Sequence, residues 1–441
     1  MNRWMMNNTL ERRVNTMKII SVRIEGFRNI ENVRISFDKI TSLVSVNSYG
    51  KSNLLKAIDF AVSFIKADKE DKNDMMSYIH GIPFNKYIDS KNFVADFEFS
   101  MKRNGKEYFI NYGFELVWIK NSGEGNKIVK EWLFMKENEK SQKYGKLISR
   151  SEKSLYKASL SGRCTAVLNI EDDELMVNRL LANDSLYYKD VIAELNNIRV
   201  YTEQHLDASS WYHKDPLIHK DLDEFDISEI KNIPRAIFYL KKKYREKYDL
   251  LQNAFFQLFP NLNAIEVEEI ELRGSKSLEF PNEIPYIISN KVYSLYVRDV
   301  NMNQPLDFES LSDGAKRVFL MLTYIILADI SGITLIAFEE PENSIHPSLL
   351  QGCLNLLSQL SKECRIIITS HSPYIIQYVS TEDIYIGKPN DRGIAEFSRI
   401  ARPKQLLRDA SENNESVGGY IFDLLSGGED DTDILLDYLE N

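Results

Sequence analysis

Cysteine is scarce in this chain of 441 residues, which contains only Cys164, Cys353 and Cys364. Three is an odd number, and no pair of them has the C-x-x-C spacing of metal-binding and redox motifs. This pattern fits a disulfide framework poorly. It favours a reducing compartment, so we expect a cytoplasmic protein.

Long apolar segments are also missing. The longest candidate, residues 318–330, is interrupted by Thr323 and Asp329 and is shorter than the roughly 18 residues that span a bilayer. We therefore predict a buried helix there and expect no association with a membrane. Near the N-terminus, no apolar core is followed by a small-residue cleavage site, so a secretory signal is not expected.

An excess of positive charge is absent, since the formal net charge is −10 at pH 7. This balance argues against a protein that coats nucleic acid. The densest basic run, 241–247, is interpreted either as a solvated helix face or as a contact for nucleic acid or a partner. The acidic run 429–433 follows no apolar strand, which favours a solvated tail over a metal cluster.

The composition is that of an ordinary globular protein, with 43% hydrophobic and 27% charged residues. Apolar and polar residues alternate over 20–25 and again over 33–37, which predicts a pair of half-buried strands. An apolar strand at 40–46 and an amphipathic helix at 51–66 follow. This strand, loop and helix provide the context that a phosphate-binding loop requires.

The central region gives a more mixed pattern. Residues 120–165 are polar and rich in lysine, which predicts a mobile insert. Apolar residues at three- and four-residue steps predict one long helix over 233–259. Further strands are predicted at 93–99, 108–114, 264–272 and 292–297.

From residue 314 onward, helical and strand patterns alternate. A helix precedes the strand 333–338, and a second helix precedes the strand 365–369. This alternation predicts a parallel sheet with helices on its faces.

Residues 45–52 read Ser-Val-Asn-Ser-Tyr-Gly-Lys-Ser, which we call the phosphate loop. In the pattern GxxxxGK[ST], backbone N–H groups and the lysine bind phosphate oxygens, and the hydroxyl binds Mg²⁺. Gly50, Lys51 and Ser52 complete the later half, whereas Ser45 replaces the leading glycine. A positive φ at that position would cost serine about 1 kcal/mol. The loop indicates nucleotide binding, with a degenerate structural loop as the alternative.

Three further motifs follow in order along the chain. The sequence Leu-Ser-Asp-Gly at 311–314, which we call the signature, precedes a helix that Ser312 could also cap. The strand 333–338 ends in Glu339 and Glu340, two acids placed to hold a magnesium ion and a water molecule. The alternative for these acids is an exposed turn. A lone histidine is usually structural or merely exposed, but the location of His371, after an apolar strand and within Ser-His-Ser-Pro, favours a functional role.

These four motifs, in this order, resemble the ABC-type ATPases of the SMC, RecF and OLD group. The chain looks most like the ATPase subunits of bacterial anti-phage systems such as OLD, Septu and PARIS. The resemblance implies an α/β fold, with an ABC-type P-loop ATPase head whose mixed sheet is flanked by helices. A long α+β or helical insert would separate the two motif-bearing halves. The predicted segments are 17–66 and 306–390 for the two parts of the head, 67–305 for the remaining head strands and the lysine-rich insert, and 391–441 for a C-terminal tail.

The resemblance also implies which residues bind ATP and Mg²⁺. It assigns nucleotide binding to five residues at the loop and the helix start: Asn47, Gly50, Lys51, Ser52 and Asn53. Ser52 would bind Mg²⁺ directly, and Glu339 would orient it through water. Many related proteins have aspartate in place of Glu339, so the glutamate here adds one methylene group to that side chain.

Catalysis and association are implied by the resemblance as well. Glu340 would be the catalytic base, and His371 would be the switch histidine near the γ-phosphate. Ser312 and Gly314 would contact the γ-phosphate that a partner subunit holds. His346 lies in a segment that resembles the loop coupling two active sites, so it belongs either to an interface or to a helix start.

We therefore expect an ATPase that forms a homodimer, or a higher homo-oligomer, around ATP. The resemblance implies that it controls a separate, nuclease-like effector in anti-phage defence. Contact with nucleic acid stays open. Two other functions stay open as well: a DNA-repair ATPase of the RecF kind, and a scaffold that binds ATP with little turnover.

Overall fold

A computed structural model describes residues 17–45, 49–77, 84–88, 91–119, 127–139, 142–203, 206, 210–220, 225, 232–272, 277–280 and 284–440. The chain divides into two compact units. Unit 1 comprises Met1–Val200, Thr381–Asp409 and Asp423–Asn441, and unit 2 comprises Tyr201–Ser380 and Ala410–Phe422. These limits differ from those of the four segments predicted from the motifs.

The described residues form strands that we number in chain order. They are β1 (Met17–Phe27), β2 (Ile30–Ser36), β3 (Ile40–Val44), β4 (Phe93–Arg103), β5 (Lys106–Val117), β6 (Lys127–Glu137), β7 (Gly145–Arg150), β8 (Ser154–Lys157), β9 (Cys164–Val167), β10 (Val200–Glu203), β11 (Leu217–His219), β12 (Leu262–Glu271), β13 (Leu278–Glu279), β14 (Tyr286–Ile288), β15 (Lys291–Asp299), β16 (Leu306–Asp307), β17 (Leu335–Glu339), β18 (Arg365–Ser370), β19 (Ile384–Pro389) and β20 (Ala395–Arg399).

The α-helices are numbered in the same way. They are α1 (Lys51–Lys66), α2 (Lys69–Met76), α3 (Met176–Leu180), α4 (Lys189–Asn196), α5 (Ile233–Lys243), α6 (Arg245–Leu258), α7 (Asp313–Ser331), α8 (Pro347–Leu360), α9 (Pro373–Tyr378), α10 (Pro403–Glu412), α11 (Val417–Ser426) and α12 (Glu429–Leu436).

Unit 1 is built on a mixed sheet flanked by helices, which confirms the predicted fold class. The strands lie in the order β3-β19-β20-β2-β1-β4-β5-β6-β7-β8-β9. β19 is parallel to β3, and β20 is parallel to β2, whereas β1 pairs antiparallel with β2 and with β4. The predicted strand pairs β1–β2 and β4–β5 are confirmed.

Helix α1 has the predicted limits and begins at Lys51, within the phosphate loop. Its apolar stripe faces the interior, because all six residues predicted to point inward are buried: Leu54, Leu55, Ile58, Ala61, Val62 and Ile65. Burial of this stripe fixes the helix by hydrophobic packing.

The prediction of a mobile insert at 120–165 is wrong for the described part of that segment. β6 to β9 extend the sheet antiparallel, strand beside strand. The lysines and glutamates of the solvent face and a register shift between Ile128 and Lys130 obscure the alternation in β6, where Ile128 and Leu133 are both buried. Glu131 is also buried, and it accepts hydrogen bonds from the backbone N–H groups of Met176 and Val177 at the start of α3. Burial raises the pKa of Glu131 to about 7.

The single helix predicted at 233–259 is in fact two helices, α5 and α6. The chain breaks at Tyr244, whose φ of −135° and ψ of 62° are not helical. Because the apolar spacing continues across the break, the pattern alone predicts one helix. The basic run 241–247 spans this junction. Its Lys247 pairs with Asp329, and Lys242 lies 5.7 Å from the centre of the Phe238 ring.

Unit 2 carries the parallel pair predicted from the C-terminal motifs. β17 pairs with β18 in parallel, and the register places Glu339 beside Thr369. The connection between the two strands contains α8, as the alternating pattern predicted. α7 contains the segment 318–330 as a buried helix, also as predicted. The carboxyl ends of β17 and β18 therefore lie side by side.

The predicted strands near 264–272 and 292–297 are confirmed as the antiparallel pair β12–β15. The C-terminal segment 391–441, predicted as a tail, folds into β20 and the helices α10, α11 and α12. The acidic run 429–433 opens α12, where Asp431 accepts a hydrogen bond from the backbone N–H of Gly428. The acidic run is therefore the start of a helix and not a solvated tail, because carboxylates are favourable at a helix start.

In the part of the chain that the structure describes, the helices are too short or too polar for any of them to cross a membrane.

Candidate functional site

The phosphate loop lies in unit 1, where β3 leads into it and α1 leads out of it. Gly50 is the N-cap of α1 and has a φ of +98°, a conformation that favours glycine. A Cβ at this position would also approach the Cβ of Ala395 to 2.5 Å. Both the backbone conformation and the available space therefore require glycine at the helix start, as the phosphate-loop pattern predicts.

Lys51 is folded back onto the end of β3. Its side chain is almost completely buried, and its Nζ donates to the backbone oxygen of Ser45 at 2.8 Å and to the Ser45 hydroxyl at 3.0 Å. The described non-glycine residues with a positive φ are Arg28, Asn104, Glu340, Ser344 and Asn414. Ser45 is absent from this group, so its backbone does not require the glycine that the usual pattern has there.

Asn53 joins the helix start to the turn between β1 and β2. Its Nδ2 donates to Asn29 Oδ1 at 2.8 Å, and its Oδ1 accepts from Arg28 Nη1 at 3.1 Å. Sequence reasoning missed Arg28 and Asn29. Arg28 has a φ of +54°, yet only the folded sheet reveals which helix its turn faces. Ser52 is half-buried on the first turn of α1, and Asn47 lies outside the described residues.

The acidic turn, residues 339–343, lies in unit 2 at the carboxyl end of β17. Glu340 has a φ of +48°, which is uncommon for a residue with a side chain. Three hydrogen bonds hold this backbone: Glu340 N–H donates to Thr369 O at 2.8 Å, and Glu340 O accepts from Arg317 Nη1 at 3.1 Å and from Asn343 N–H at 3.2 Å. Strained residues of this kind cluster at functional sites.

The structure brings Glu340 and His371 together. His371 Nδ1 is 3.0 Å from Glu340 Oε1, and Asn343 Nδ2 donates to Glu340 Oε2 at 2.9 Å. An ionised carboxylate can only accept hydrogen bonds, so the Nδ1–H of the imidazole donates. Both side chains remain open to solvent, with exposed fractions of 41% for His371 and 37% for Glu340. The pair can therefore orient a water molecule and accept its proton.

Glu342 ties the acidic turn to the strand that carries His371, a role that sequence reasoning missed. Its Oε1 accepts a hydrogen bond from the Ser370 hydroxyl, and Ser370 Oγ accepts from the backbone N–H of Ser372 at 2.9 Å. Burial raises the pKa of Glu342, against the lowering effect of the Ser370 hydrogen bond. The signal in the sequence was a third acid, directly after Pro341, but its partner Ser370 lies on β18.

The signature also lies in unit 2, at the start of α7. Ser312 is the N-cap, and its hydroxyl accepts from Ala315 N–H at 3.3 Å, which confirms the capping role. A Cβ on Gly314 would lie 2.5 Å from the backbone oxygen of Ser344, whose φ is +65°. Gly314 thus allows the signature to pack against the loop that follows the acidic turn.

His346 caps the next helix. It is the N-cap of α8, and its Nδ1 lies 2.8 Å from the Ser348 hydroxyl. This geometry confirms the helix-start interpretation. An additional role at an interface stays a prediction.

Ser52 and Glu339 are the residues expected to hold Mg²⁺. Among the residues with described positions, no three His, Cys, Asp or Glu side chains group together as metal ligands. Mg²⁺ in proteins is usually held by one or two protein oxygens together with substrate phosphates and water, and the assignment of Ser52 and Glu339 to it stays a prediction. The hydroxyl and the carboxylate are both hard oxygen donors of the required type.

A family model described as "AAA domain, putative AbiEii toxin, Type IV TA system" matches residues 40–377, which is more than half of the chain. The chain belongs to this AAA-domain family. The match includes the phosphate loop, the signature, the acidic turn and His371. A search of curated proteins found no match.

Solved structures similar to this AAA domain include three heads of SMC proteins. An SMC head bound to the C-terminal winged-helix domain of ScpA has 15% identity and a TM-score of 0.46, over 86% of this chain and 97% of that chain. The SMC head from Thermotoga maritima has 13% identity and a TM-score of 0.41, over 87% and 99%. A Pyrococcus furiosus head with an extended coiled coil, bound to the C-terminal domain of ScpA, has 12% identity and a TM-score of 0.44, over 91% and 100%. Likeness at this level carries no argument about function.

Proposed function

We propose that this AAA domain binds ATP and hydrolyses it to ADP and phosphate. The observation that carries the proposal is the Glu340–His371 pair, set on a left-handed backbone at the end of a parallel strand. Two side chains separated by 31 positions meet there with both polar ends open to solvent. A purely structural ion pair has no need of a strained backbone.

The phosphate loop supplies the groups that bind a triphosphate. Gly50 begins α1, and the positive end of the helix dipole favours phosphate oxygens at this point. Lys51 contributes a positive charge, and Ser52 contributes a hydroxyl for Mg²⁺. Arg28 is a further cation at the helix start, held by Asn53. When bound, the ion neutralises charge that develops on the phosphates.

Hydrolysis requires a base and a fixed water molecule. Glu340 accepts the proton of the attacking water, and the Nδ1–H of His371 holds the carboxylate in place. Arg317 and Asn343 keep the backbone of Glu340 in its strained conformation. Because phosphoryl transfer to water needs little covalent help from the protein, positioning and charge supply most of the rate enhancement.

The wider assignment rests on the resemblance of the motifs. We propose that two copies close around ATP, with Ser312 and Gly314 of one copy completing the site of the other. The ATPase then controls a separate, nuclease-like effector in defence against phage, in the cytoplasm. The family description, which names a putative toxin of a type IV toxin–antitoxin system, is compatible with a role in such a system.

Substitution of Lys51 tests nucleotide binding. Lys51→Ala removes the charge that faces the triphosphate, so we expect ATP affinity to fall by about 100-fold or more. Equilibrium binding of a fluorescent ATP analogue measures the change. Lys56→Ala, at an exposed position on the same helix, is the matched control and should bind as the wild type does. Unchanged affinity in a folded Lys51→Ala protein would mean that the phosphate loop is not the site.

Mixing two inactive variants tests the dimer. Ser312→Arg places a cation where the partner's nucleotide would be contacted, and Lys51→Ala prevents nucleotide binding in its own subunit. In a mixed dimer, the Ser312→Arg subunit can bind ATP, and the Lys51→Ala subunit supplies an intact signature. We expect one active hybrid site per mixed dimer and recovery of up to about half the activity per dimer.

Sedimentation with ATP provides the second measurement for this experiment. ATP should produce a dimer that Ser312→Arg weakens. If the mixture stays inactive although labelled subunits demonstrably exchange, or if a monomer hydrolyses ATP at the full rate, the dimer proposal is wrong.

A further inference from the structure

Ser45 is the position at which the phosphate loop departs from the usual glycine, and its side chain is completely enclosed. β19 runs parallel to β3 with Ile386 beside Val44, so Gly387 follows on the neighbouring strand where Ser45 follows β3. A Cβ built on Gly387 would lie 3.2 Å from the Cβ of Ser45 and 2.6 Å from the ring of Phe397. The glycine on the neighbouring strand therefore provides the space that the serine side chain occupies.

The Ser45 side chain binds the lysine of the same loop. The ammonium group of Lys51 has three N–H donors. One donates to the backbone oxygen of Ser45, an acceptor that any residue would provide, and one donates to the Ser45 hydroxyl, which glycine could not provide. Both residues are buried, and a hydrogen bond to a charged group is stronger there than in water.

We propose that Ser45 is a positioning residue that holds Lys51 on the end of β3 and thereby lowers the affinity of the loop for nucleotides with a β-phosphate. A β-phosphate must displace the serine hydroxyl to gain that N–H donor of the lysine. The inference rests on the proposed binding of ATP at Lys51. A nucleotide without a β-phosphate gains nothing from the release of the lysine, so the serine should not affect its affinity.

The test compares two buried serines near the same strand. Ser45→Ala removes the hydroxyl that holds Lys51, and Ser45→Gly restores the usual glycine without adding atoms. Ser42→Ala is the matched control, because Ser42 lies on β3, is completely buried and has a hydroxyl without a hydrogen-bond partner in the structure. The Kd values for ATP, ADP and AMP are measured by isothermal titration calorimetry on the full chain.

We expect Ser45→Ala and Ser45→Gly to lower the Kd for ATP and ADP by about tenfold, the lower end of the scale of one hydrogen bond to a charged group. The Kd for AMP should stay within twofold of the wild-type value, and Ser42→Ala should change none of the three. A merely structural defect at Ser45 could not tighten binding. Either Ser45 variant that folds suffices for the test.

Two kinds of result would overturn the inference. Unchanged or weaker binding of ATP by the Ser45 variants would show that the hydroxyl does not compete with phosphate. Equal tightening for AMP, or the same tightening in Ser42→Ala, would show that the effect does not pass through Lys51. Failure of the proposed function is distinguishable, because Lys51→Ala would then bind ATP as well as the wild type does. If Lys51→Ala loses ATP affinity strongly while the Ser45 variants bind ATP as the wild type does, only the inference about Ser45 is wrong.

Discussion

The phosphate loop of unit 1 and the acidic turn of unit 2 handle charge in opposite ways. The loop buries its charge: Lys51 is only 8% exposed, and its ammonium group is held by Ser45. The turn leaves its charge open: the side chains of Glu340 and His371 are 37% and 41% exposed while they bind each other. The loop provides hydrogen-bond acceptors for its own lysine, whereas the turn leaves the carboxylate and the imidazole open to solvent.

The difference indicates different tasks. A buried lysine with fixed acceptors is organised before any ligand arrives, so binding there exchanges one set of acceptors for another. An exposed carboxylate next to an exposed imidazole gains catalytic strength only when water is excluded around it, because a lower dielectric strengthens its interactions. We therefore expect substitutions in the loop to change affinity and substitutions in the turn to change turnover.

The largest effect on turnover is expected for Glu340→Gln. Glutamine keeps the size of the side chain but cannot accept the proton of water, so turnover should fall by about 100-fold or more while ATP affinity stays within a few fold. Steady-state phosphate release and equilibrium ATP binding separate the two quantities. Glu246→Gln, at an exposed position on α6 of the same unit, is the control. Normal turnover in Glu340→Gln would mean that Glu340 is not the base, and Glu339 and His371 would then be the candidates.

The two histidines of unit 2 sharpen the comparison. His371→Ala removes the donor to Glu340, so turnover should fall by about tenfold to 100-fold. His346→Ala removes only the cap of α8, so we expect a loss of about 1 kcal/mol in the free energy of unfolding and turnover within twofold. Urea unfolding measures the free energy of unfolding of the two variants, and phosphate release measures their turnover. A large loss of turnover in a stable His346→Ala protein would support its interface role instead.

A smaller loss of turnover than in Glu340→Gln or His371→Ala is expected for the glycine of the signature. Gly→Ala within a helix usually stabilises by up to about 1 kcal/mol, but the new methyl group on Gly314 would meet the Ser344 backbone 2.5 Å away. We expect a net loss of about 1–2 kcal/mol in the free energy of unfolding, with a severalfold loss of turnover.

Gly352→Ala is the matched control for Gly314, because its methyl group would meet only the end of the Leu258 side chain, which can move. The midpoint of its urea unfolding should lie at or above that of the wild type. Equal stability of the two variants would show that the backbone at Ser344 moves away from the methyl group at little cost. This result would contradict close packing between the signature and that loop.

Much of the fold near the motifs was predictable from the sequence. The limits of α1 and the parallel pair β17–β18 follow from apolar periodicity and from capping and turn residues within a few positions of each other. The strands β6 to β9 were missed because charged residues on their solvent face hid the period of two. The break at Tyr244 was missed because the apolar stripe runs on across it.

The sequence alone determined the phosphate loop, the signature, the acidic pair and the order in which they occur, because each is a run of adjacent residues whose chemistry is local. Only the tertiary structure decided which distant residues meet: His371 with Glu340, Ser370 with Glu342, and Gly387 beside Ser45. These pairings depend on the register and order of strands far apart in the chain. Strand register is set by the packing of the whole sheet, and no short segment encodes it.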